Sequence, residues 1–357
     1  MKLDRKRIPS GQGSVFETAA NDGAPTMISR RTFAAGCLAG SALSWLASGA
    51  GFAAEGTAPA GGKKSKIAVV PTMTGPVRCD ALGTTLMHEH VLWFAGPRLE
   101  DPGYTPIPNS LRAESVDFAV SLLNDAAQVG IDTLLDLTPH RPIDLYIKIA
   151  KRTSVKTVPS SGFYRRAKIP KLWAEMEDEN QMRDLMLKEV TEGIEGTKIR
   201  ASIIKVAGET SALSDWEKKV FRAAAQVQKA VGVPIATHDG ANAREQFDWL
   251  LESGANPRRL MLGHVDTMLG AHRTREQVRD VLVSIAREGG YLEVDTFGQE
   301  FYTKWVDLVY FLRALCDAGF ANRIIISVDC NWQWEDGKKV FEGAGPPNFD
   351  PHAAERT

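Results

Sequence analysis

Two histidines separated by a single residue, His88 and His90, stand in the stretch 82–93, LGTTLMHEHVLW. The stretch is typical of a β-strand, in which successive side chains point to opposite faces. Both imidazoles therefore leave the same face, where one metal ion could bind both, and imidazole suits zinc and its neighbours. Two surface or packing histidines would give the same pattern, so its meaning depends on the rest of the chain.

Two further histidines end apolar, strand-like stretches, His238 in IATHDG and His264 in MLGHVD. Asp329 ends another such stretch, IIISVDC. Either of these histidines alone would be interpreted as a hydrogen-bonded core residue. Four histidines and an aspartate at strand ends indicate a metal site if the fold brings those ends together. We expect the remaining histidines at the surface: His140, His272 and His352. For His140, the alternative is a position at the border of the pocket.

Lys205 lies inside the apolar stretch SIIKVAG. Strand alternation places it on the same face as Ile203. On a buried face a bare ammonium is costly unless it is paired, and a lysine that extends to solvent from a strand end is the alternative. A buried neutral amine could instead react with carbon dioxide, giving a carbamate whose two oxygens can bridge two cations.

Beyond residue 64, strand-like and helix-like segments alternate, which predicts a parallel sheet. Eight such units favour closure into an α/β (β/α)8 TIM barrel, whose active sites lie at the C-terminal strand ends. An open doubly wound sheet has less support, because no G-x-G-x-x-G follows the first strand. The predicted strands are 85–93, 133–138, 157–164, 201–207, 234–238, 260–265, 291–296 and 324–330; the predicted helices include 114–129, 172–192, 214–230, 243–252, 275–287 and 301–318.

A closed barrel expects a helix after its eighth strand, but residues 331–357 are polar, rich in Pro and Gly and without helical periodicity. Either the last helix is missing from a truncated chain, which we favour, or an N-terminal segment covers the gap. A missing helix would expose apolar flanks of the first and eighth strands. Trp332 and Trp334 would either form an apolar wall over a substrate or cover the barrel mouth as core residues.

The bulk composition is that of a globular protein, with 43% hydrophobic and 24% charged residues among 357. A net charge of −1 gives no indication of a nucleic-acid or anionic-membrane partner. The four cysteines have no C-x-x-C spacing and predict no disulfide framework.

Residues 1–64 are predicted to form an N-terminal extension, a signal segment and a linker before a barrel over residues 65–357. Arg30 and Arg31 precede an apolar run over residues 34–54, which resembles a twin-arginine export signal. Small-residue sites after the run favour cleavage over an uncleaved membrane anchor. We therefore expect a bacterial periplasmic or secreted protein that meets the membrane only through its signal.

Six motifs, in order from about Val70 to Asp329, resemble the phosphotriesterase family of the amidohydrolase superfamily, including its lactonases. They are MTGPV, LGTTLMHEH, IIKVA, VPIATHDG, LGHVDT and the eighth-strand aspartate. The resemblance implies two divalent metal ions, with zinc expected first and iron, cobalt or manganese as alternatives. It also implies a homodimer. The implied ligands are His88, His90 and Asp329 for one ion, His238 and His264 for the other, and an N-carboxylated Lys205 with a hydroxide between them.

Two cations on one water lower its pKa, and one of them polarises the carbonyl or phosphoryl oxygen of a substrate. Asp329 would orient the hydroxide and accept its proton. Asp266, in the HVDT turn, would either relay that proton outward or cap the turn.

Lactone-hydrolysing relatives carry a tyrosine beside the metals at the position of Tyr164. Their second tyrosine is Arg166 here, and their seventh-strand Asp-Arg is Asp295-Thr296. The expected substrate is a small-molecule lactone or other carboxylic ester, with organophosphates as a side activity. Two alternatives stay open: a mononuclear amidohydrolase that acts on C–N bonds with an unmodified Lys205, and an exported barrel that binds metal but has lost activity.

Overall fold

The computed structural model describes residues 68–92, 109–209, 212–271, 273–299, 302–329, 331–335 and 338–342. Outside the described residues lie the predicted export signal, the predicted linker, His272 and His352. The domain boundary at residues 64 and 65 therefore stays a prediction. Within the described ranges, no helix combines the length and apolarity that a membrane span requires.

Eight parallel strands form one sheet in which each strand pairs with the next along the chain. Helices surround the sheet, and the predicted (β/α)8 TIM barrel is confirmed. The ladders end earlier than the predicted strands, because the chain leaves the sheet where the candidate site residues begin. The barrel strands are β3 (Thr85–Glu89), β4 (Thr133–Asp136), β5 (Lys156–Phe163), β6 (Ile203–Val206), β7 (Ile235–Ala236), β8 (Leu260–Leu262), β9 (Tyr291–Val294) and β10 (Ile324–Ile326).

A helix follows each of the first seven barrel strands. The longer helices have the termini that their sequences predict: Ser214 and Glu217 form a reciprocal capping box, and Gly232 ends the same helix in the left-handed conformation. The helices of the described ranges are α1 (Arg112–Gln128), α2 (Ile143–Ala150), α3 (Lys171–Ala174), α4 (Glu179–Thr191), α5 (Asp215–Val231), α6 (Ala243–Glu252), α7 (Arg275–Glu288) and α8 (Trp305–Asp317).

Three segments differ from the sequence prediction. The helix predicted over 172–192 is two helices, because Asp178 caps a new start at α4 with its side chain. The short helix α2 was not predicted, since its eight residues give little periodicity to detect. After β10 the chain forms an antiparallel hairpin, β11 (Asn331–Glu335) and β12 (Lys338–Glu342), where no strand was predicted. The absence of a last helix through truncation of the chain stays a prediction.

The first and last barrel strands are joined through side chains. Ser327 Oγ accepts from the His88 amide at 3.0 Å and donates to Glu89 Oε1 at 2.7 Å. Glu89 Oε1 also accepts from the amide of Val328 at 3.1 Å. These bonds bring the end of β3, with its histidines, against the chain that continues from β10 to Asp329.

A second hairpin, β1 (Val69–Thr72) with β2 (Gly75–Arg78), covers the N-terminal end of the barrel. Ser202 Oγ donates to the carbonyl of Pro71 at 2.8 Å, and Val70 packs among the apolar side chains of the barrel interior. A larger apolar layer lies between the strands and the surrounding helices. The opposite, C-terminal end is left to polar side chains.

Replacing Ser327 with alanine is expected to lower the free energy of unfolding by about 1–3 kcal/mol, because the His88 amide loses its side-chain acceptor and Glu89 loses one of its hydrogen bonds. Urea denaturation would measure the change. Ser115→Ala is the matched control: Ser115 is equally buried, but its hydroxyl bonds only to Leu111 of the preceding turn. Equal losses in both variants would contradict a special role for the hydrogen bonds that join β3 to the chain after β10.

Candidate metal centre

His88 and His90 lie at the end of β3, and a β-bulge decides where they point. Between two paired positions, β3 contains one residue more than β4. Met87 packs inside the barrel, so strict alternation would direct His88 outward. The bulge turns His88 inward as well. The sequence argument placed both histidines on one face correctly, but simple alternation was not the reason.

Lys205 points into the barrel and has no exposed surface. Its Nζ lies 2.9 Å from His88 Nε2 and 3.3 Å from the carbonyl oxygen of Thr237. Burial lowers the pKa of Lys205 from 10.5 to about 8, although Glu293 and Asp329 oppose the shift. The alternative of a lysine that extends to solvent is therefore wrong, and the neutral amine is much more accessible here than in an ordinary lysine.

Gly162 allows β5 to approach β6, the strand that carries Lys205, very closely. It pairs with Lys205 in the ladder and has a φ of 121°. A Cβ at this position would overlap the backbone carbonyl of Lys205. Only glycine adopts this conformation readily, and the close approach fixes the depth at which the lysine enters the interior.

His238 and His264 follow β7 and β8. His264 Nε2 lies 2.8 Å from His238 Nδ1, and His238 Nε2 lies 2.9 Å from the hydroxyl of Tyr164. Two imidazole lone pairs cannot face each other at this distance without a proton or a cation between them. Burial lowers the pKa of His238, and the nearby His264 and Lys205 lower it further. Either a proton donated by His264 or a cation can therefore occupy this position.

Asp329 follows β10 and faces the first pair of histidines. Its Oδ1 lies 3.2 Å from His90 Nε2 and 3.8 Å from His88 Nε2. The same oxygen is buried and has no hydrogen bond of suitable geometry within the described chain. Burial alone would raise the pKa of Asp329, but the contact with His90 and the charges of His264 and Lys205 lower it to about 2.

Glu293 and Asp295, on β9 and just after it, lie behind the histidines. Glu293 Oε2 is 2.7 Å from His88 Nδ1, and Asp295 Oδ1 is 2.9 Å from His264 Nδ1. Burial opposes the protonation of His264, but Asp295 outweighs it and raises the pKa of His264. The sequence analysis gave Glu293 no role. Its signal was a glutamate in the apolar stretch YLEVD, the same kind of signal that identified Lys205.

Asp266 is fully buried at the start of a 3-10 helix (Val265–Ala271). It accepts hydrogen bonds from the hydroxyl and amide of Thr296 and from the amide of Asp295. Burial, with a contribution from the charge of Asp295, raises the pKa of Asp266 from 3.8 to about 7. These bonds tie the loop after β8 to the end of β9.

The backbone is strained where the site residues are presented. Asp239, His264 and Asp329 have φ values of 79°, 56° and 46°, a region that residues other than glycine seldom adopt. All three stand at the C-terminal ends of barrel strands. Strain of this kind clusters at functional sites.

The donor set suits divalent transition metals. One nitrogen each from His88 and His90 and one oxygen of Asp329 lie within 4.8 Å of one another. Imidazole and carboxylate are the ligands that zinc, iron, cobalt and manganese accept. The structure brings all six predicted ligands to one end of the barrel. Their roles as ligands stay predictions.

Several other candidates lie away from these ligands. His140 packs edge-on against Trp173, with ring centroids 4.0 Å apart, in the layer outside the barrel, and not at the surface. Arg166 donates to the carbonyl of Ala174 and pairs with Glu177, so it does not occupy the place of a second pocket tyrosine. Trp332 and Trp334 belong to β11, and their side chains are outside the described part of the structure.

The fold and this set of polar groups define the class of a metal-dependent hydrolase with a TIM barrel. A sequence profile of the phosphotriesterase family matches residues 68–340, and the chain belongs to that family.

Three curated relatives show how varied the reactions of similar proteins are. A phosphotriesterase homology protein of Mycobacterium tuberculosis is 28% identical over 272 residues, covering 72% of this chain and 79% of that protein. An aryldialkylphosphatase of Saccharolobus solfataricus is 28% identical over 287 residues, covering 77% and 83%. An N-acetyltaurine hydrolase of Xenopus tropicalis is 27% identical over 299 residues, covering 73% and 83%.

A solved structure of a protein engineered for organophosphate hydrolysis from a weak promiscuous lactonase template is also similar. It is 30% identical, covers 80% of this chain and 86% of its own, and superimposes with a TM-score of 0.65. Together with the polar site, these likenesses establish a metal-dependent hydrolase without deciding which bond it cleaves.

The raised pKa of Asp266 predicts how the metal-free protein responds to pH. The unfolded carboxyl ionises near 3.8 and the folded one at about 7, so the native state binds more protons in between, and the free energy of unfolding falls as the pH rises. Asp266→Asn should remove this slope, which is worth up to about 4 kcal/mol. Urea denaturation at several pH values would measure it, with the exposed Asp280→Asn as control. An unchanged slope in Asp266→Asn would assign the dependence to another group.

Proposed function

We propose that this protein is a binuclear metal-dependent hydrolase of lactones or other carboxylic esters. The observation that supports it most is the convergence of two donor sets on either side of Lys205. His88, His90 and Asp329 form one set. His238 Nδ1 and His264 Nε2, 2.8 Å apart, form the other. Zinc is the ion we expect first, because its preferred ligands are those present.

The proposed modification of Lys205 follows from its burial. The lowered pKa increases the fraction of neutral amine, whose lone pair attacks carbon dioxide, forms a C–N bond and releases a proton. The carbamate oxygens then carry the negative charge between the two donor sets. Without the modification, an ammonium would lie beside His88 at 2.9 Å and would repel a cation at that histidine.

Two bound divalent ions would supply a water of lowered pKa and would polarise the substrate carbonyl. We assign Asp329 to orient that water and to accept its proton during the attack; its pKa of about 2 keeps the carboxylate ionised in the metal-free chain. Tyr164 holds His238 through Nε2 and leaves Nδ1 free for an ion. The three bonds to Asp266 favour an anchoring role for this residue over a proton relay.

An amide is the second candidate substrate class. The N-acetyltaurine hydrolase of Xenopus tropicalis, 27% identical over 299 residues, is named for the cleavage of an N-acyl bond. Hydrolysis of esters and amides needs the same nucleophile and differs in the leaving group, which for an amide must be protonated as it departs.

Purified protein reconstituted with zinc should contain about two ions per chain and should hydrolyse members of a panel of lactones, aryl esters, N-acyl amines and phosphotriesters. His238→Asn should reduce kcat/KM at least about a hundredfold, because the second ion loses a ligand. Asn242→Asp, outside the ligand set, is the control for folding and expression. A chain with two ions and no turnover on the whole panel would favour a metal-binding barrel without activity.

Exposure of the protein to ¹³C-labelled bicarbonate should give a carbamate resonance that is absent from Lys205→Met. Carbon NMR measures it directly. A single metal ion with no such resonance in the wild type would favour the mononuclear amidohydrolase.

We also propose export through the twin-arginine pathway, based on Arg30 and Arg31 before the apolar run. Export of the full chain in a bacterial host should be blocked when both arginines are replaced by lysine, and cell fractionation would measure the distribution. Equal periplasmic amounts of both forms would contradict this route.

A further inference from the structure

Glu293 is a buried carboxylate that the proposed mechanism does not use. It lies on the inward face of β9, with Tyr291 below it and Asp295 above it, and it has no exposed surface. Its Oε2 is 2.7 Å from His88 Nδ1, while its Oε1 has no hydrogen-bond partner in the described structure. Gly263 lies beside the pair: a Cβ there would overlap the carbonyl oxygen of Thr237, 2.5 Å away, and would press on His88 Cε1 at 3.3 Å.

The two neighbours of the His88 ring determine its tautomer. An ionised Glu293 can only accept at Nδ1 and so places the histidine proton there. Burial raises the pKa of Glu293 in the metal-free chain, and bound cations would favour its ionised form. Lys205 Nζ, 2.9 Å away, can then donate to the lone pair on Nε2. The same Nε2 faces Asp329 and is the atom offered to an ion. Glu293 therefore selects the tautomer in which His88 is a ligand.

Asp295 lies close to both histidines, but His88 Nδ1 forms its hydrogen bond with Glu293. It accepts from the amide of His264 at 3.1 Å and lies 2.9 Å from His264 Nδ1. Its other approach, to His88 Nδ1, is 3.0 Å, longer than the Glu293 contact. We therefore assign Glu293 to orient His88 and Asp295 to orient His264.

We propose that Glu293 is a positioning residue for the metal ion bound by His88, an inference that rests on the proposed function. It orients the imidazole and increases its basicity as a ligand, the way a carboxylate behind a metal-bound histidine generally acts. It does not touch the substrate. Its effect is confined to the first donor set, because Asp295 orients the histidine of the second.

The same atoms suggest one competing assignment. His88, His264 and Asp295 together could hold an ion through both Nδ1 atoms. Such an ion would displace the protons that Glu293 and Asp295 now accept, and His88 would have to bridge two ions as an imidazolate. A titration that saturates at three ions per chain would support this assignment and overturn ours.

The experiment isolates the first site in a His238→Asn background, which removes a ligand of the second ion. Zinc binding to the metal-free protein is measured by calorimetry in His238→Asn and in the double variant with Glu293→Gln. The amide keeps the size of the side chain, but it lacks the charge and can donate to Nδ1, which moves the histidine proton to Nε2. We expect the affinity of the remaining ion to fall about 10–100-fold.

Glu189→Gln in the same background is the matched control. Glu189 is also buried, also has one carboxylate oxygen without a hydrogen-bond partner in the described chain, and lies on α4 away from the site. It should leave zinc affinity unchanged even if it alters stability in urea. In the otherwise wild-type enzyme, Glu293→Gln should lower kcat at limiting zinc and recover as zinc is raised, with KM little changed.

The outcomes separate the two proposals. If the wild-type chain binds no zinc, the proposed metal centre fails. If it binds two ions and Glu293→Gln leaves the first-site affinity within about twofold of the control, the metal centre stands and the role of Glu293 is overturned. A similar loss in Glu189→Gln would also overturn it, because any buried glutamate would then have the same effect.

Discussion

The contact between Lys205 Nζ and His88 Nε2 is the interaction on which the rest of the site depends. Both side chains are removed from water, where an isolated charge is very costly. Carboxylates supply the compensation: Glu293, Asp295 and Asp329 all raise the affinity of the lysine for its proton. In the metal-free chain one ammonium balances this excess of acidic groups. In the proposed loaded state the lysine changes the sign of its charge, and two cations take over the balance.

This exchange needs a scaffold that cannot relax around it. The barrel supplies one, because four of the strands that lead to predicted ligands, β6, β7, β8 and β10, place apolar side chains both in the interior and against the helices. Ser327 and Glu89 hold the seam where the first and last strands meet. The bulge in β3 and the left-handed backbone at His264 and Asp329 are local costs, offset by the packing of the whole barrel.

The proposed ligand set accounts for hydrolysis but not for the choice of substrate. An activated water and a polarised carbonyl or phosphoryl oxygen serve esters, amides and phosphotriesters alike. The relatives with similar chains are correspondingly named for different substrates. Discrimination must come from the rim, where Tyr164 is committed to His238 and Arg166 is turned toward Glu177. Tyr164 thus lies beside a predicted ligand, as expected from the resemblance, while Arg166 does not replace the second tyrosine.

The sequence by itself determined the eight barrel strands, their order along the chain and the residues at their ends, because an apolar run is a local property; it did not predict the two hairpins. It also identified Lys205, since a lysine among branched apolar residues is conspicuous without any partner. It did not reveal that a bulge turns His88 inward, that His140 packs among aromatic side chains, or that Glu293 lies behind His88. Each depends on contacts between segments distant in sequence; His88 and Glu293 are 205 residues apart, and only closure of the barrel brings them together.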